Sequence, residues 1–268
     1  MKRYEAVSQN FLTRRTPVII RIDGKAFHTF TKGMRKPFDR VLMPTMQKTM
    51  KYLCENIQGC VFGYTQSDEI TLVLTDYEKL TTDAWFGYNV QKMTSISASM
   101  ATLAFNKFFR EIVKETFWFL DSGIMNIDEC PNLSKTISVY ESKYDKAMFD
   151  ARAFSVPKDE VCNCLIWRQQ DATRNSISGV GQVYFKQKYL TNKSSKEIQE
   201  MLWQERGINW NDFPTDCKRG SCCYKVKTED VMIDLKTKKE VRKVRNRWVI
   251  DTDIPIFTQD RGFVEKWL

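Results

Sequence analysis

The chain has 268 residues, 42% of them hydrophobic and 13% aromatic, and a formal net charge of +9. That is enough apolar material for one large core or two smaller ones, and no stretch approaches the roughly 18 consecutive apolar residues of a membrane span. The opening Met1-Lys2-Arg3-Tyr4-Glu5 lacks the apolar run of a secretory signal, so a cytoplasmic protein with reduced thiols is expected.

Val18-Ile19-Ile20-Arg21-Ile22 is a short β-branched run halted by Asp23-Gly24, which predicts a buried strand. Met43, Met46, Met50, Leu53 and Ile57 then recur at helical spacing, with Pro44 near the start, where proline is tolerated. Cys60–Tyr64 and Ile70–Leu74 read as two strands, and the link Thr65-Gln66-Ser67-Asp68-Glu69 suggests a hairpin. A long helix is predicted from about Trp85 to Lys114, then a strand from Ala151 to Val156 closed by Pro157, then a helix through Trp167 and Asn175. Ser194-x-x-Glu197 is a capping box for a helix carrying Ile198, Met201 and Leu202 on one face, with Gly207 as its stop. From Tyr224 the pattern turns to β, with Thr237-Lys238-Lys239 as a turn. The order β-α-β-β-α-β, followed by helices and a basic β segment, gives an α+β fold class. It divides into a catalytic part over residues 1–157 and a helical and β part over 158–268, unless the two are one continuous domain.

The charge is unevenly spread. Between Lys218 and Arg247 eleven Lys/Arg face four Asp/Glu, so this segment supplies +7 of the +9. Such a segment is either a solvated β surface or a track for a polyanion such as RNA, whose binding weakens as salt rises. Two cysteine groups, Cys162-x-Cys164 and Cys217-x4-Cys222-Cys223, lack the paired spacing of a zinc ribbon, and His28 is the chain's one histidine. Buried, inert thiols are the expectation.

Two acidic points carry the chemistry. Asp23 ends one strand and Asp68-Glu69 lies in the link between two others, so neighbouring strands would bring both to one edge. Magnesium takes one or two carboxylates plus substrate phosphates, and a pair of ions about 4 Å apart activates a hydroxyl and stabilises a leaving pyrophosphate. Gly24 lets its backbone approach a metal or phosphate closely. The plain alternative is that Asp-Gly and Asp-Glu are ordinary turn sequences.

Arg21-Ile22-Asp23-Gly24-Lys25-Ala26-Phe27-His28, taken with Gly63-Tyr64-Thr65-Gln66-Ser67-Asp68-Glu69, resembles the signature pair of the tRNA-His guanylyltransferase family. Lys36-Pro37-Phe38-Asp39, Lys92-Met93-Thr94-Ser95, Phe149-Asp150-Ala151-Arg152 and Trp167-Arg168-Gln169 with Asp171 are similar to further family motifs in the same order. The resemblance implies a polymerase palm-like domain with two Mg²⁺ ions on Asp23, the Gly24 carbonyl and Asp68, and with Glu69 in the motif behind them. It also implies a triphosphate held by Lys25, Ala26, Phe27 and His28, further phosphate contacts from Ser67, Lys92 and Arg152, and Asp39 beside the activating nucleotide. Arg168, Asn175, Lys218, Arg219, Lys243 and Arg245 are candidates for RNA contact, although an ion pair or helix cap serves Arg168 and Asn175 equally well. ATP, GTP or other nucleoside triphosphates would be the co-substrates, the acceptor end of a tRNA the partner, and a homotetramer the assembly.

One departure bears on specificity. The tRNA-His-specific branch has His-Ile-Asn-Asn where this chain has Thr173-Arg174-Asn175-Ser176. The sequence therefore looks more similar to the family's "-like" branch, which fills in missing 5′ nucleotides of truncated tRNA in the 3′-5′ direction against a template. Addition of a single guanylate to tRNA-His, and a non-catalytic tRNA-binding protein, are the alternatives.

Overall fold

A computed structural model describes residues 1–121, 133–233 and 240–268. The first part runs α1 (Lys2–Val7), β1 (Val18–Gly24), α2 (Phe27–Phe30), α3 (Leu42–Asn56), β2 (Cys60–Gln66), β3 (Glu69–Leu74), α4 (Val90–Asp121), α5 (Leu133–Glu141) and β4 (Phe149–Ser155). It continues with α6 (Lys158–Tyr184), α7 (Gln187–Leu190), α8 (Ser195–Arg206), α9 (Thr215–Arg219), β5 (Ser221–Ile233), β6 (Glu240–Asp251) and α10 (Gly262–Glu265). The turn expected at Thr237-Lys238-Lys239 lies outside the described residues.

The six strands form one sheet in the order β4-β1-β3-β2-β5-β6, and every neighbouring pair is antiparallel. Because side chains alternate across a strand, the two faces of β1 meet different cores. Val18, Ile20 and Ile22 pack with Met46, Met50 and Leu53 of α3 and with Phe105 and Phe109 of α4. Ile19 packs with Phe62, Tyr64 and Val73, beneath Val161 and Leu165 of α6 and the C-terminal Ile254, Phe257 and Val264. Covering both faces explains why the strand opens with an unbroken apolar run rather than an alternating one. A third cluster, including Ile177, Val180, Ile198, Leu202 and Trp210, joins the end of α6 to α8.

Since β5 hydrogen-bonds β2 from Phe62↔Tyr224 to Thr65↔Ser221, the sheet continues across residue 157, where the sequence suggested a division. The antiparallel sheet with helices on both faces agrees with the α+β class.

Several element ends differ from the sequence reading. β1 extends through Asp23 and Gly24, and the hairpin link shrinks to Ser67-Asp68, because Gln66 and Glu69 remain paired. Ser67 makes this tight turn with φ 54°. The helix predicted from Trp85 instead begins at Val90 and runs to Asp121. It follows a short 3-10 turn, in which Phe86 (φ 52°) and Gly87 (φ 60°) are left-handed. β4 starts at Phe149 and β5 at Ser221, ahead of their apolar stretches. The capping box forms as read: Ser194 Oγ accepts from Glu197 N–H while the Glu197 carboxylate accepts from Ser194 N–H, and Gly207 closes α8 at φ 65°.

Candidate active site

The register of three strands gathers acidic and basic side chains at one end of the α6-facing side of the sheet. Asp23 on β1 lies opposite Glu69 on β3 and opposite Asp150 on β4, and one step inward Arg21 lies opposite Arg152. Gly24 N–H donates to the Asp68 carbonyl at 3.0 Å, which ties the end of β1 to the β2–β3 turn. The fold thus brings Asp23 and Asp68 together although 44 positions separate them in the chain.

Their electrostatics are those of like charges withdrawn from water. Burial pushes the Asp23 carboxyl above its ordinary range and the charge of Asp150 adds to this, while Arg152, Arg21 and Arg168 offset part of it. Burial also raises Asp68, reinforced by the charge of Asp23, with hydrogen bonds from its own backbone and from Ser67 acting the other way. Such a pair is relieved by a cation. Among the described residues no group of three or more His, Cys, Asp or Glu is arranged to hold a metal ion. A two-carboxylate site completed by backbone and phosphate oxygens is the arrangement magnesium favours, so the donors present fit that ion.

Glu69 has a different role from its neighbour. Arg168 of α6 donates from Nε to Glu69 at 2.7 Å and from its terminal nitrogen to Asp171 at 3.0 Å, and Arg21 Nε lies 3.9 Å from Glu69. Burial pushes the Glu69 carboxyl up, opposed chiefly by Arg168. Arg168 is therefore an internal ion-pair partner that clamps α6 to the sheet. Asp171 also receives Arg174 and, at 3.5 Å, the Asn175 amide.

The turn after β1 explains the Asp-Gly-x-x-Phe spacing. A Cβ on Gly24 would sit 2.3 Å from the Phe27 ring, and that ring is held in the core against Phe30, Phe105 and Phe149. Phe27 is thus a core residue, and only its backbone is offered to a ligand. Ala26 turns into α2 with φ 53°; Thr29 N–H donates to the Ala26 carbonyl at 2.9 Å, and the amides of Ala26, Phe27 and His28 before it precede the first intrahelical bond. Lys25 is excluded from that backbone set, since its N–H already donates to Met148 at 2.8 Å. The Lys25 and His28 side chains are exposed beside the acidic end.

Asp39, Lys218 and Arg219 have partners within the chain, and Lys92 lies along α4. The buried Asp39 carboxylate accepts from the backbone N–H groups of Arg35 (3.0 Å), Val41 (2.9 Å) and Leu42 (2.8 Å) and from the Tyr140 hydroxyl. It shapes the loop that precedes α3, and a nucleotide would have to displace these donors. Lys92 sits on the first turn of α4, its ammonium 6.0 Å from the Phe86 ring. That helix reaches the start of β4 at Thr102, whose hydroxyl accepts from Phe149 N–H at 3.2 Å, and at Phe105, whose ring centroid lies 5.3 Å from that of Phe149. Ten residues of helix, roughly 15 Å, therefore separate Lys92 from the acidic end within one chain. Lys218 donates to the Asn211 carbonyl at 2.6 Å, and the Arg219 carbonyl accepts from Tyr64, so both help fasten α9. Arg245 is exposed on the β5–β6 ribbon, which beyond Tyr224 pairs only within itself among the described residues. The Lys243 side chain lies outside the described ones. The thiols do not converge as the two sequence groups would require: Cys222 and Cys223 point to opposite faces of the sheet, and Cys217 Sγ contacts Met43 Sδ at 3.8 Å.

A cavity of about 250 Å³ opens beside the acidic end, between Phe38 and Asp39, the hairpin tip at Gln66 and Ser67, and Asn175 and Gly179 of α6. Sequence reading overlooked Arg21, Asp150 and Asp171 as site residues. Arg21 could have been found from alternation, because the residue two before Asp23 shares its face. Asp150 and Asp171 needed the strand register and the packing of α6.

The chain is similar to proteins of known sequence and structure. The profile of the Thg1 family, described as tRNAHis guanylyltransferase, matches residues 1–157. A solved structure of a bacterial tRNA(His) guanylyltransferase (Thg1)-like protein in complex with ATP is 41% identical, with a TM-score of 0.78 over 100% of this chain and 96% of that one. A bacterial Thg1-like protein in complex with GTP gives 41% identity and a TM-score of 0.75 over the same shares. The tRNA(His) guanylyltransferase of Schizosaccharomyces pombe is 26% identical over 100% of this chain and 97% of its own length.

Proposed function

The chain belongs to the tRNAHis guanylyltransferase family of nucleotidyltransferases, and from that premise we propose that it extends the 5′ end of truncated tRNA in the 3′-5′ direction, copying the opposite acceptor strand. The observation that carries the reading is the joining of Asp23 and Asp68 at one sheet edge, with Gly24 between them, next to first-turn amides and the arginines 21 and 152.

In this reading the domain works as a polymerase palm. Two Mg²⁺ ions held by Asp23, the Gly24 carbonyl and Asp68 would supply activation of a hydroxyl and neutralisation of pyrophosphate. The residues of the chain do the positioning, which dominates phosphoryl transfer. The amides of Ala26, Phe27 and His28, with the Lys25, His28 and Ser67 side chains, hold the triphosphate. Arg152 and Arg21 oppose its negative charge from the sheet. The 5′-monophosphate of the tRNA first displaces pyrophosphate from ATP or GTP, forming a nucleotidyl-capped end. The 3′-hydroxyl of the incoming nucleotide then displaces that nucleoside monophosphate. Arg168 keeps Glu69 charged and in place behind Asp23.

Repair is favoured over single guanylate addition by two observations. Identity to the bacterial Thg1-like protein is 41%, against 26% to the fission-yeast tRNA(His) enzyme. Ser176, which stands where the tRNA-His-specific branch has an asparagine, is buried and internally bonded: its hydroxyl donates to the Cys217 carbonyl at 2.8 Å and accepts from Trp210 Nε1 at 3.0 Å. It is therefore a structural node and not a discriminator contact. The test compares labelled 5′-truncated tRNA-Phe with full-length tRNA-His. Extension of the truncated tRNA to full length is expected; extension of the full-length tRNA-His alone would overturn the repair reading.

A further inference from the structure

We propose that Trp167 is a stacking platform for a nucleobase entering the active site, which deepens the function proposed above and rests on it. Trp167 is one of the chain's large exposed apolar side chains, with 50% of its surface open to solvent. It belongs to α6, the helix that covers the reactive side of the sheet, and it directly precedes Arg168. The Arg168 guanidinium lies 4.5 Å from the ring centroid, and the Arg21 guanidinium, rising from β1, lies 5.6 Å from it. Both arginines also reach Glu69, the cross-strand partner of Asp23. The indole is thereby fixed in orientation next to the acidic end, and Arg152 follows on the neighbouring strand β4.

An exposed indole with nothing to stack on it leaves apolar surface in water, whereas cation contacts hold this one in place. Aromatic faces interleaved with guanidinium groups are the chemistry by which proteins bind unpaired nucleotides: the cations take phosphates and the ring takes a base, whatever its identity. That sequence tolerance suits an enzyme whose choice of nucleotide is made by a template. The base belongs either to the 5′-terminal nucleotide of the RNA or to the incoming triphosphate, since both must lie near Asp23.

The test is a binding cycle on the full-length protein. Wild type, Trp167→Ala and Trp167→Phe are titrated with a 5′-truncated tRNA and with the same tRNA made abasic at its 5′-terminal nucleotide. A second arm uses a nucleoside triphosphate and ribose 5-triphosphate with no base. In one arm, Trp167→Ala is expected to weaken binding of the base-bearing ligand by about tenfold, to have no effect on its abasic counterpart, and to be largely restored by Trp167→Phe. Coupling in the RNA arm assigns the base to the tRNA, and coupling in the triphosphate arm assigns it to the incoming nucleotide. Equal losses on base-bearing and abasic ligands in both arms would mean that the ring acts only through Arg21 and Arg168, and would overturn the proposal, as would no loss at all. Because binding is read and not turnover, a wild-type protein that failed to extend tRNA would refute the functional reading without deciding this one.

Discussion

Gly24→Ala isolates the contact on which the turn after β1 depends. The added methyl would lie 2.3, 2.6 and 2.7 Å from three carbons of the Phe27 ring, far inside van der Waals contact. The ring has no easy retreat, with the Phe30, Phe105 and Phe149 centroids 4.9, 5.5 and 5.1 Å away. Overpacking of a closed core costs about 1–3 kcal/mol, and in a domain approaching this size each kcal/mol lowers Tm by about 2–4 °C. A fall of about 2–12 °C by calorimetry is expected, together with a higher KM for the activating nucleotide, because the displaced ring carries the Ala26–His28 amides with it. Adding Phe27→Leu should recover part of the Tm, a coupling that independent sites would not show. An unchanged Tm with wild-type kinetics would refute the idea that Gly24 is required by close approach.

The other predictions concern the charges. Burial raises the carboxyls of Asp23 and Asp68 in the folded state, so these groups favour folding most at acid pH and lose that contribution as pH rises through their raised pKa values. In EDTA at pH 7, Asp68→Asn should therefore raise Tm, and the gain should shrink as pH falls through the raised pKa of the wild-type carboxyl. A lower Tm at pH 7 would contradict this. The stabilisation that Mg²⁺ gives the wild type should grow as pH rises through the raised pKa values of the two carboxyls, and the acid limb of the kcat/KM profile should fall above the ordinary carboxylate range of about 4; a limb at or below that range would contradict the assignment. Arg168→Met removes a charge-assisted bond from a nearly buried pair, with side chains 13% and 16% exposed. It should destabilise by about 2 kcal/mol, and Glu69→Gln in the same background should restore much of the loss by urea unfolding.

The parts of this molecule legible in its sequence are those set by local periodicity. The apolar run of β1, the methionine-rich face of α3 and the Ser194–Glu197 capping box each encode their own geometry. The ends of strands were harder, because Asp23, Gln66 and Glu69 are polar residues that the sheet holds by pairing with neighbours rather than by β preference. The left-handed Phe86 has no sequence signal. Long-range pairing was also hidden: β5 joins the sheet against β2, where Phe62 pairs with Tyr224 and Thr65 with Ser221. At the site, Asp23 and Asp68 could be picked out as strand tips, but the tasks of other charged residues are fixed by packing. Asp39 is absorbed by three backbone amides and a tyrosine, Arg168 by Glu69 and Asp171, and Lys92 is carried away by the length of α4. A motif identifies such residues without saying which neighbour claims them.

The most direct measurement follows radiolabelled 5′-truncated tRNA on a gel with Mg²⁺ and nucleoside triphosphates, using wild type, Asp23→Asn and Asp68→Asn, with filter binding of the same tRNA in parallel. The wild type is expected to lengthen the RNA, and each variant to bind it with near wild-type affinity while adding no nucleotide. Undiminished addition by either variant would show that the two carboxylates do not carry the reaction.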